Sequence, residues 1–145
     1  MTRPAPWRLD PAAYPTSEEI GTRYQDLDTN GHLNNVAFAA LFESARVRIN
    51  RITRPHGSRP ANERSMVASV AIAYLAEGSF PEPVTVTSGI GQIGTSSFTI
   101  EQAMFQHGRC VATCDTVVVV RTDEQGKPLR AELRAELETR MTRGK

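Results

Sequence analysis

An α+β fold is predicted, with one antiparallel sheet curled around one long apolar helix. Three observations carry that prediction. An i, i+3, i+4, i+7 apolar pattern runs from Asn34 to Ile52, four strand-like runs follow it, and short glycine-containing turns separate the last three. At 145 residues, the chain reads as a single core-forming domain over 19–145, preceded by an irregular Pro-rich arm over 1–18.

The arm carries Pro4, Pro6, Pro11 and Pro15, and it lacks the continuous apolar stretch of a signal peptide. A short strand is expected over roughly Ile20 to Tyr24. The helix that follows places Phe38, Leu41, Phe42, Ala45, Ile49 and Ile52 along its apolar side, with Glu43, Arg46, Arg48 and Arg51 mostly between them. "AFAALF" makes it more apolar around its circumference than a surface helix should be, so it is expected to be wrapped on several sides. "TRPHGSRPANER" is a turn-rich connection. The strands are expected over Met66–Leu75, Val84–Ile93, Ser96–Gln106 and Cys110–Arg121, and "LRAELRAELETR" reads as an amphipathic terminal helix.

Composition narrows function by exclusion. A net charge of +1 supplies no global attraction to nucleic acid or to an anionic membrane, so an anionic ligand has to meet locally placed arginines. No apolar run approaches the length of a bilayer-spanning helix, and a cytoplasmic location is expected. Cys110 and Cys114 lie four apart on one expected strand. They should share a face, too far apart for an unstrained disulfide, and no histidine beside them completes a zinc site.

The richest chemistry lies in "RYQDLDTNGHLNNVAFAALFESAR", Arg23 to Arg46. Asp26, Asp28, Asn30 and Gly31 match the first positions of a calcium loop, but its twelfth position is Ala37 instead of the required bidentate Glu. Asp, Asn and Gly also suit a turn and a helix cap, and Asn34 is the cap candidate. Capping alone does not require so many polar groups.

This stretch resembles the signature of the 4-hydroxybenzoyl-CoA thioesterase-like family of the hot-dog fold superfamily. The pattern is matched at Tyr24, Asp26, Asp28, Gly31, His32, Asn34, Asn35, Phe42, Glu43, Ala45 and Arg46, with Phe38 where Tyr is usual. "GTSSFTIEQAMFQHGRC" and the "DEQGKP" turn resemble later parts of the same family. The resemblance implies a five-stranded hot-dog sheet around the central helix and hydrolysis of an acyl-CoA thioester. It implies Asp28 as the catalytic carboxylate, acting as nucleophile or general base, with the Asn35 backbone N–H as oxyanion donor. Gly31, His32, Asn34, Ser97 and Arg59 are the substrate-binding candidates. Arg54, Arg64 and Arg109 are further candidates for the coenzyme A phosphates.

Glu43 and Arg46 are expected to form a structural ion pair, and Asp26 to orient the turn. No metal or cofactor is expected, coenzyme A being part of the substrate. The resemblance also implies a homodimer or homotetramer, with neither nucleic acid nor membrane as partner. A non-catalytic acyl-CoA-binding domain, and hydrolysis of an acyl carrier protein thioester, are the alternatives. A hot-dog hydratase is disfavoured because Asp28 and His32 are four apart where that pattern has five.

Overall fold

A computed structural model describes residues 3–53, 59–122 and 128–144. Its elements run β1 (Thr16–Ile20), α1 (Asn35–Thr53), β2 (Arg64–Tyr74), β3 (Val84–Ile93), β4 (Ser97–Gln106), β5 (Arg109–Arg121) and α2 (Ala131–Glu138). The strands form one antiparallel sheet in the order β1-β3-β4-β5-β2, a hot-dog layout with α1 against its concave face. Arg54 and the turn at 123–127 lie outside the described residues.

The helix is buried along its length by two clusters. Toward its N-terminus, Leu33, Phe38, Leu41 and Phe42 meet Val84, Val86, Met104 and Ala112. Toward its C-terminus, Ile49 meets Ile90, Phe98, Ile100 and Val118, and Leu133 and Leu137 of α2 close that end. Alternation does the sorting: Phe98, Ile100, Gln102 and Met104 of β4 face the helix, whereas Ala103 and Phe105 face outward.

The arm is more ordered than expected. Pro6–Leu9 and Pro11–Ala13 form 3-10 turns, and Trp7, Ala13 and Tyr14 cover Ala103 and Phe105 on the convex face. Arg8 fastens it: its Nε donates to the Tyr14 hydroxyl at 2.9 Å, Nη2 to the Gln102 carbonyl at 3.1 Å, and Nη1 pairs with Asp115 at 2.8 Å. Burial pushes the Tyr14 hydroxyl up to about 12, so it stays a donor, to the Arg8 carbonyl.

Two expectations are corrected. The first strand lies at Thr16–Ile20, not Ile20–Tyr24, because Gly21 follows it and Tyr24–Asp26 closes into a 3-10 turn instead. The cysteines do not share a face. A bulge pairs Met104 with Ala112 but Phe105 with Cys110, so Cys110 joins the outer cluster and Cys114 the helix-side core. Both are free, and burial raises both thiols above their ordinary range, which suppresses the thiolate.

Phe42 has no exposed surface at the middle of α1. Phe42→Ala should therefore destabilise the fold by about 3–5 kcal/mol, read as a lower urea midpoint at unchanged slope.

Candidate active site at the start of the central helix

The polar stretch folds as a closed loop mounted on α1. Leu27 and Leu33 form an antiparallel bridge, and inside it the Asp28 N–H donates to the His32 carbonyl at 2.8 Å. Gly31 has φ 79°, a left-handed conformation that favours glycine, and its N–H returns to the Asp28 carbonyl at 3.1 Å. Three contacts tie the loop down. The Leu33 N–H donates to the Gly78 carbonyl, the Asn34 N–H to the Asp26 carbonyl, and Asn34 Oδ1 caps the helix by accepting from the Ala37 N–H at 2.7 Å.

Asp26 and Asp28 have separate environments. Asp26 is buried and accepts from the Arg23 backbone N–H at 2.9 Å and from the Arg23 guanidinium at 2.8 Å and 3.2 Å. Those bonds to Arg23 hold its carboxyl below the usual carboxylate range. Asp28 is exposed. Its Oδ1 accepts from the backbone N–H groups of Asn30 (2.8 Å) and His32 (3.1 Å), and its Oδ2 has no hydrogen-bond partner among the described residues. One oxygen thus orients the group and the other remains open for chemistry.

The helix start adds donors. The N–H groups of Asn35 and Val36 precede the first intrahelical bond, and among the described residues they have no acceptor. With the positive end of the helix dipole, they can stabilise negative charge developing on an oxygen.

The other predicted residues divide between the two ends of α1. Gly31, His32 and Asn34 lie in the loop, and His32 Nε2 meets Glu77 Oε2 at 3.0 Å. Ser97 lies beside Phe98, which packs near Ile49, and Arg59 is exposed in the connection that follows the end of α1. A single chain therefore does not bring Ser97 or Arg59 to Asp28, which lies at the opposite end of a helix about 28 Å long. Arg64 begins β2 at that same far end, while Arg109 starts β5 in the β4–β5 hairpin, nearer the loop.

Glu43 and Arg46 approach only to 4.0 Å, and Arg46 Nη1 instead donates to Thr116 Oγ1 at 3.3 Å. Glu77, Gly78 and Tyr74, whose ring meets Phe38 edge-on at 5.3 Å, escaped sequence reading. They end or follow a strand whose pairing is long-range, and nothing local marks them as neighbours of residues 28–38. Among the described residues, no three His, Cys, Asp or Glu side chains group to hold a metal ion, and no helix is long and apolar enough to cross a membrane.

A model of the thioesterase-like superfamily matches residues 22–137, from before the loop to within α2. The chain belongs to that superfamily. No curated protein sequence matches it. Among solved structures, this thioesterase-superfamily chain is similar to the PA5185 protein of Pseudomonas aeruginosa, with 26% identity, 94% and 98% of the two chains covered and a TM-score of 0.78. A predicted thioesterase from Bacillus stearothermophilus gives 26%, 89% and 98%, and 0.78. A Thermus thermophilus thioesterase, solved in complex with coenzyme A and zinc, gives 25%, 88% and 94%, and 0.77.

The Asp26–Arg23 contact has a pH signature. A carboxyl whose folded pKa lies below its unfolded value stabilises the fold above that unfolded value, near 4, and loses this effect as pH falls through the depressed folded one. Asp26→Asn should therefore lower the melting temperature most above about pH 5, and the gap to wild type should narrow as pH falls below about 4.

Proposed function

We propose that this chain hydrolyses acyl-CoA thioesters, with Asp28 as the catalytic carboxylate, and acts as a homodimer. The observation that carries this reading is the Asp28 carboxylate itself. One of its oxygens is held by two backbone N–H groups and the other is open, on a loop anchored directly to a helix start with two unengaged N–H groups. Superfamily membership and similarity to a thioesterase solved with coenzyme A support it.

The chemistry follows from those groups. Acting as base, Asp28 Oδ2 takes a proton from water as its oxygen attacks the thioester carbonyl carbon. The carbonyl oxygen becomes an oxyanion met by the Asn35 N–H. Collapse breaks the C–S bond, and Asp28 returns the proton to the departing thiolate, leaving free acid and CoA-SH. Acting as nucleophile, Oδ2 attacks the carbonyl carbon and expels the thiolate, forming a mixed anhydride that water then cleaves. Gly31, His32 and Asn34 line the approach to either reaction. The thiols are poor competitors, since burial disfavours their ionised forms.

The two-copy reading rests on the sheet edges. β1 is five residues long and carries Glu18 and Glu19, and residues 140–142 extend that edge by bonding Ile90. β2 is eleven residues long, with no charge or proline from Ser65 to Tyr74, and Met66, Val67, Val70 and Tyr74 are exposed. A long apolar edge of this kind, interrupted by one irregularity between Val67 and Ser69, is a template for another strand. Antiparallel pairing of β2 with β2 of a second copy reverses the copy end for end. It thereby brings the far end of that copy, with its Ser97 and Arg59, toward the Asp28 loop.

Thiol release from acetyl-, hexanoyl-, palmitoyl-, benzoyl- and phenylacetyl-CoA tests the reading. One class should be turned over, and Asp28→Asn should lower kcat by about 10²–10⁴ with an unchanged far-UV spectrum. Undiminished turnover in Asp28→Asn would remove Asp28 from the reaction. Tight acyl-CoA binding without turnover would make the domain a binding module.

A further inference from the structure

The apolar surface on β2 continues onto the helix. Val36 (71% exposed), Ala40, Glu43 and Val47 (48% exposed) form one outward stripe at 4-3-4 spacing, the pattern of a helix that packs against another helix. Glu43 is the only charged residue in that stripe. Beside it, the Arg46 side chain is only 9% exposed, yet its contacts are the 3.3 Å bond to Thr116 and the 4.0 Å approach to Glu43. Thr116 pairs in register with Val70, so this guanidinium lies close to the middle of the exposed edge strand.

Covering such a surface strands two loosely paired charges. Removing an ion from water is unfavourable unless a partner with good geometry replaces the water. An isologous contact through the middle of β2 brings the same two residues from the other copy to the same place.

We infer that Glu43 and Arg46 of each copy pair with Arg46 and Glu43 of the other, forming a four-charge cluster that sets the register of self-association. This rests on the two-copy reading above and adds what selects one alignment. β2 needs such a device. "SMVASVAIAY" is a run made mostly of small and β-branched residues, in which a two-residue slip keeps every side chain on its original face. A charged pair within an otherwise apolar seam disfavours the slipped alignments, which leave the charges buried and unpaired.

Sedimentation equilibrium of Glu43→Arg, Arg46→Glu and their equimolar mixture tests this. Each variant alone should dimerise at least ~30-fold more weakly than wild type, the lower end of what losing one partner of a buried interfacial pair produces. The mixture should recover a mixed dimer, because two arginines of one chain then face two glutamates of the other. A mixture no tighter than its components overturns the cross-pairing, as does wild-type affinity in Glu43→Arg. Should Arg46→Glu not fold, Glu43→Arg decides alone, since Glu43 is exposed in the single chain. A wild type that is monomeric but still releases thiol would remove the two-copy reading and this inference together, leaving Asp28 in place.

Discussion

One geometric constraint governs this molecule: a single apolar helix must be covered by a sheet of five strands. Curling the sheet buries Phe38, Phe42, Ala45 and Ile49, and α2 closes the far end. Five strands do not reach all the way round. What stays outside is a stripe of α1 and most of β2, whose Met66, Val67, Val70 and Tyr74 are exposed. The unusual apolarity of α1 therefore has two sources, a core on one side and an interface on the other.

The start of the helix is the second consequence. A helix start leaves its first N–H groups without intrahelical partners. Asn34 satisfies one, and Asp26 and Gly78 accept from the approach to it, yet the Asn35 and Val36 groups stay open. The polar residues beyond what a turn requires divide into two jobs. Asp26, with Arg23, holds the loop, and Asp28 is presented by it. Two carboxylates two residues apart thus differ entirely in burial and partners.

Much of this architecture is legible in the residues. Periodicity predicts the limits of Val84–Ile93 as they stand, and α1 and β5 to within a residue or so, because period 2 and period 3.6 are strong signals where an element has one buried side. The misses have local causes. The first strand is expected too late because Tyr24 suits a strand by propensity, whereas Arg23 and Asp26 draw the chain into a turn. The cysteines are expected on one face because a bulge leaves no mark in a run such as "RCVATC". At the site, the loop residues can be named from their motif. The distance of Ser97 and Arg59 from Asp28 cannot, since it depends on which end of the helix each strand meets.

The arrangement of the sheet also dictates an order of events. β2 is the first strand made after α1, but among the described residues it pairs with β5, the last strand in chain order. Until residue 121 has been synthesised, this apolar strand lacks its full partner. Arg8, near the beginning, likewise waits for the carbonyls of Gln102 and Cys114. Folding is therefore loaded toward the end of synthesis and rests on contacts far apart in sequence, which are slow to form. A nascent chain stopped before β5 presents this apolar strand without its partner, so a pause in translation before residue 121 lengthens the time it stays bare.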